Sequence, residues 1–90
     1  MRIKVKAFGD LRNKLGNEKI IEIKNTATIE VLFSKLTILT GTYKKEYLGN
    51  HKVGSDLAVL INGKNMNTLK KPRILKDGDI VELIPFTVGG

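Results

Sequence analysis

Residues 2–39 read RIKVKAFGDLRNKLGNEKIIEIKNTATIEVLFSKLTIL, and inside this segment the hydrophobic period changes from two to three and four. Over residues 2–8, Ile3, Val5 and Ala7 alternate with Arg2, Lys4 and Lys6, the pattern of a half-buried strand. Asp10 offers an N-cap, and residues 10–16 read as one or two helical turns closed by Gly16. Residues 18–24, with Ile20, Ile21 and Ile23, form a second strand. The short connection favours antiparallel pairing. Asn25 to Thr28 is a turn. Behind it Ile29, Leu32, Phe33 and Leu36 recur at i, i+3, i+4 and i+7, which predicts one amphipathic helix to about Leu39. Thr28 is its expected N-cap, Glu30 favours its first turn, and Gly41 ends it.

Residues 41–56 read as a long loop, or as a loop around a short helical turn at 44–48. A third strand, 57–62, ends in Asn62-Gly63, a strong hairpin signal, with an extended partner over 65–69. Leu75 to Asp79 is another turn, followed by a strand over 80–84. Pro85 has no N–H and ends that ladder. Residues 86–90 remain as a tail. Two strands, one helix and further strands give an α+β fold in which a single helix crosses one face of a mixed sheet. That is the β-grasp, or ubiquitin-like, arrangement, although other one-helix α+β sandwiches share the element order. The expected organisation is one β-grasp domain over 1–85 and a flexible diglycine tail over 86–90.

With 90 residues, 10.0 kDa and 41% hydrophobic content, the chain has apolar mass for one core only. The absence of cysteine excludes disulfides, thiolate metal sites and a thiol nucleophile, and leaves a cytoplasmic setting as the expectation. No apolar run approaches the ~20 residues of a membrane helix, and the alternating N-terminus is not a signal peptide. The net charge is +7, carried mostly by lysine, whereas a phosphate-reading surface favours the bidentate arginine.

Side chains that carry chemistry are few. His51 is the single histidine and reads as a solvated loop residue, with Glu46 and Asp56 poor companions for a metal. Asp77 and Asp79 flank a turn glycine, where Asp serves the backbone. Ser34 and Ser55 have no histidine placed beside them, so no catalytic triad is readable. No metal site and no intrinsic catalysis are expected. Single-strand nucleic-acid binders interleave aromatic platforms with cations, and only Tyr43, Lys44, Lys45 and Tyr47 do so here. Phe8 and Phe33 read as core. The sequence stops at Gly89-Gly90. Glycine has no Cβ, so such a tail fits a narrow channel and carries its α-carboxylate about 15–20 Å beyond Pro85 when extended, at ~3.3 Å per residue.

The segments Val59-Leu60-Ile61-Asn62-Gly63-Lys64 and Leu75-Lys76-Asp77-Gly78-Asp79-Ile80-Val81, then Pro85 and Gly89-Gly90, occur in a specific order. Together with Phe8, Leu11, Arg12 and Gly16, they resemble the MoaD/ThiS-like ubiquitin-like sulfur carriers, on the side of the molybdopterin synthase small subunits (MoaD). The resemblance covers nearly the whole chain except 41–56 and 65–73. It implies a carrier that binds no cofactor itself. An E1-like enzyme adenylates the Gly90 carboxylate with ATP and magnesium, and a sulfur donor converts it to a thiocarboxylate. Gly89 keeps the approach clear, and the large subunit of molybdopterin synthase receives the tail. Partner docking is expected at an exposed apolar patch of Ile80, Ile84, Pro85, Phe86 and Val88, with Arg12 and Lys76 facing an acidic partner. No membrane or nucleic-acid partner is expected. A protein modifier or a tRNA-thiolation carrier would use the same tail, and a basic RNA-binding β-grasp module would not use it at all.

Overall fold

The computed structural model describes residues 1–24 and 27–86. Strands β1 (Arg2–Ala7) and β2 (Glu18–Glu22) pair antiparallel, with Ile3 opposite Ile21 and Val5 opposite Lys19. A 3-10 turn (Gly9–Leu11) and a short helix α1 (Arg12–Leu15) join them, and Gly16 ends α1 with φ +78°. Strand β3 (Ala27–Thr28) runs directly into α2 (Ile29–Thr40). Ile29, Leu32, Leu36 and Thr40 are buried, which is one stripe of α2. Thr28 occupies the N-cap in an extended conformation but makes no side-chain capping bond. At the other end Gly41 is left-handed (φ 65°, ψ 34°), and the Thr42 N–H donates to the Thr37 carbonyl at 2.9 Å, a Schellman closure.

The segment 41–56 holds a second hairpin, β4 (Tyr47–Leu48) and β5 (His51–Lys52). Two-residue strands are too short to show a period, so the sequence pattern shows only a loop there. Strand β6 (Leu57–Ile61) turns through Asn62 and Gly63, both at positive φ (51° and 84°), into β7 (Lys64–Asn65). β7 is short because the Asn65 side chain accepts the Asn67 N–H at 2.9 Å and starts a 3-10 turn over Met66–Thr68. Strand β8 (Ile74–Leu75) pairs with β3, and β9 (Ile80–Pro85) completes the main sheet.

The five strands lie in the order β2-β1-β9-β6-β7, with β9 parallel to β1 and antiparallel to β6. This is the expected β-grasp. Ile3, Val5, Val59, Val81 and Leu83 line the covered face and meet Leu32 and Leu36 of α2 in one core. Each fully buried Leu or Ile contributes about 2 kcal/mol. Alternation turns Lys4, Lys6, Ala58, Leu60, Ile80, Glu82 and Ile84 to the opposite face, where they are half-buried. Among the described residues no helix is long and apolar enough to cross a membrane.

Candidate functional site

β9 is bonded on both sides, by β1 and by β6. Its backbone is therefore used up within the sheet, and only its outward side chains and its end remain for recognition. The strand runs through Pro85, opposite Leu57, and the Phe86 N–H still donates to the Asp56 carbonyl at 3.0 Å. Pro85 packs beside Gly9, where a Cβ would lie 3.4 Å from the proline Cγ and φ is +63°. The positive φ is what favours glycine there, since an added Cβ would rest in ordinary van der Waals contact with the proline ring.

The Phe8 N–H donates to the Leu83 carbonyl at 3.1 Å, which sets Phe8 beside Ile84 on the outer face. Ala58 lies opposite Ile84 on the other side. Phe8 and Phe86 are 39% and 40% exposed, so this end of the sheet presents apolar surface that nothing in the described chain covers. Arg12 is also exposed close by, its Nε donating to the Gly9 carbonyl at 3.3 Å.

The structure therefore gathers Ile84, Pro85, Phe86 and Arg12 at one end. It does not bring Ile80 or Lys76 there. Ile80 starts β9 opposite Lys4, about 13 Å from Ile84 at ~3.3 Å per residue. Lys76 lies in the preceding turn, where its N–H donates to Asp79 Oδ2 at 2.7 Å. Arg12 and Lys76 thus sit at opposite ends of the sheet. Val88, Gly89 and Gly90 lie outside the described residues. Phe8 belongs to the outer patch and not to the core. Its signal was its parity, because Ile3, Val5 and Ala7 point inward and the eighth residue falls with Lys4 and Lys6.

The remaining polar candidates serve the scaffold. Asp77 Oδ1 accepts the Arg2 N–H at 2.7 Å, and Asp79 Oδ1 accepts from Asn62 Nδ2 at 2.9 Å, in keeping with the turn reading. Ser34 Oγ donates to the Glu30 carbonyl in its own helix. His51 is not a solvated loop residue. Its Nε2 lies 2.7 Å from Asp10 Oδ1, and this pair ties the β4–β5 hairpin to the turn after β1. Phe8, not Asp10, occupies the N-cap of that turn. The hairpin is also held by Thr42 Oγ1, which accepts the Gly49 N–H at 2.7 Å and bonds Thr40 Oγ1. Among the described residues no group of three or more His, Cys, Asp or Glu is arranged to hold a metal ion.

A model of the ThiS family matches residues 5–90. No curated protein matches by sequence. Among solved structures, the chain is similar to small archaeal modifier protein 1 (SAMP1) from Methanosarcina acetivorans, at 30% identity over 99% of this chain and 96% of that one, with a TM-score of 0.62. It is similar to a putative molybdopterin converting factor subunit 1 from Pyrococcus furiosus, at 25% identity over 94% and 97%, with a TM-score of 0.69. A third match, at 24% identity over the full length of both chains and a TM-score of 0.59, comes from a complex of subunits 1 and 2 of molybdopterin-converting factor from Helicobacter pylori.

Proposed function

The chain belongs to the ThiS family of small ubiquitin-like carriers and modifiers, and from that premise we propose that it carries sulfur for molybdopterin biosynthesis. The observation that carries the reading is the family match running through Gly89-Gly90, joined to a sheet end that presents Phe8, Ile84, Pro85 and Phe86 at the root of those residues.

The chemistry follows from the carboxylate. The Gly90 α-carboxylate is a poor electrophile. An E1-like enzyme joins it to AMP, with ATP and magnesium as that enzyme's substrate and ion, and pyrophosphate leaves. Hydrosulfide released by the donor then attacks the acyl carbon, the bond to AMP breaks, AMP leaves, and the thiocarboxylate remains on Gly90. The nucleophiles and the nucleotide site belong to the partners. This chain's residues bind and position. Phe86, Pro85 and Ile84 dock the partner, Arg12 meets acidic groups beside them, and Gly89 leaves the channel unobstructed. In this reading the second partner is the large subunit of molybdopterin synthase, and the setting is cytoplasmic. Val88, between Phe86 and Gly89 in sequence, extends the same contact toward the diglycine.

The test is reconstitution. Thiocarboxylated protein mixed with the large synthase subunit and the pterin precursor should yield the dithiolene product and return Gly90 to a carboxylate. No product with an active large subunit would remove the molybdopterin assignment.

A second reading, a protein modifier joined through Gly90 to target lysines, is favoured by the 30% identity to the Methanosarcina acetivorans modifier. Immunoblots of cell extract separate the two. A ladder of larger conjugates supports the modifier, and free protein alone supports the carrier.

A further inference from the structure

The far edge of the sheet carries a different kind of surface. β2 is the last strand in the order and has β1 as its one strand partner among the described residues. Met1 and Ile23 exchange backbone bonds in both directions, at 2.8 and 2.9 Å, and the Ala7 N–H donates to the Asn17 carbonyl at 3.1 Å. Alternation along an antiparallel ladder then turns the N–H and C=O groups of Glu18, Ile20 and Glu22 away from β1. No backbone group of the described chain meets them.

Beside this edge a groove runs between β2 and α2, bordered by Lys19, Ile20, Lys35, Ile38 and Leu39. It continues past Val31 to Lys24. Ile38 is 80% exposed and Ile20 50%. Large apolar side chains beside an unpaired strand are what sheet proteins avoid at edges that stay uncovered. Asp77 also lines the Lys24 end of the groove and accepts the Arg2 backbone N–H at 2.7 Å, and the other carboxylates along the edge are paired. Glu22 is taken by Arg2 at 3.3 Å, and Glu18 by Lys4 at 3.9 Å. Lys19, Lys24 and Lys35 have no carboxylate within 4.0 Å among the described residues. A second copy of the chain, itself at +7, would bring like charge to this edge.

We propose that the β2 edge and the adjoining face of α2 bind an extended peptide of a partner protein, apolar at its centre and acidic at its flanks, as an added strand. Main-chain bonds to Ile20 and Glu22 supply the affinity. Alternate side chains of the peptide fall between Lys35, Ile38 and Leu39, and the others lie over Ile20. Its carboxylates meet Lys19, Lys24 and Lys35. This surface is separate from the tail end of β9 and stands whether or not Gly90 carries sulfur.

The experiment is an NMR titration of the full 15N-labelled chain with a capped synthetic peptide that has a Val-Ile-Val-Ile centre and Asp-Glu flanks. Amide shifts are expected at 18–24 and 35–39, with residues 84–86 unmoved. Ile38→Asp and Lys35→Glu should each weaken binding about tenfold or more. N-methylation of alternate peptide amides should weaken it at least as much. Ile38 is mostly exposed, so its substitution should leave Tm unchanged, and Lys35→Glu gives a second reading on an exposed side chain. Shifts centred on Ile84 and Phe86, indifference to N-methylation, or no shifts at millimolar peptide would overturn the proposal. So would a dimer of the free chain paired through β2, or an oligouridine that displaces the peptide from these residues.

Discussion

β9 and β2 belong to one sheet and both turn isoleucines outward, yet they offer a partner different things. β9 is flanked by β1 and β6, so its hydrogen-bonding capacity is consumed and recognition there falls to Phe8, Ile84, Pro85 and Phe86. Among the described residues β2 has one strand neighbour and keeps a row of main-chain groups beside Ile20 and Ile38. Position in the sheet, more than composition, decides which mode each strand supports. A central strand holds the root of the chain's last residues rigidly. An edge strand is free to take on another.

The contrast is broken most severely at the tail. Removing Gly89-Gly90 should abolish thiocarboxylate formation completely while Tm and peptide binding at β2 stay unchanged. Loss of both activities together would mean that the two surfaces are not independent. Next comes the shared core. Leu36→Ala, at a fully buried position of α2, should cost about 2–5 kcal/mol in urea denaturation and weaken both surfaces. Phe86→Asp sharpens the comparison. It should weaken binding of the activating enzyme by about 2 kcal/mol, roughly thirtyfold by calorimetry, with no effect on the β2 peptide. The smallest effect is expected at the hairpin clamp. Asp10→Ala removes the 2.7 Å bond to His51 and should cost about 1 kcal/mol, seen as faster hydrogen exchange in β4 and β5.

Much of this architecture is readable from local pattern. The Ile29, Leu32, Leu36 stripe, the alternation of β1 and the Asn62-Gly63 turn each carry a period or a backbone requirement that specifies its own local element. The 41–56 segment does not. Its hairpin is held by Thr42, Gly49 and the His51–Asp10 pair, contacts between residues distant in sequence that leave no periodic trace. The candidate site divides in the same way. Ile84, Pro85 and Phe86 are legible because they follow one another. The separation of Lys76 from Arg12 is not, because it depends on β9 running parallel to β1. Phe8 is legible from its own strand's parity, since the alternation that buries Ala7 sends the next side chain outward.

Intact-mass spectrometry tests the sulfur-carrier reading most directly. The chain is incubated with an E1-like enzyme, ATP, magnesium and a sulfur donor, and the C-terminal peptide is then sequenced. The predicted result is the mass gain of one oxygen-to-sulfur exchange located at Gly90, absent when ATP is withheld. An unchanged Gly90 in the presence of an enzyme that thiocarboxylates another member of the family would contradict it.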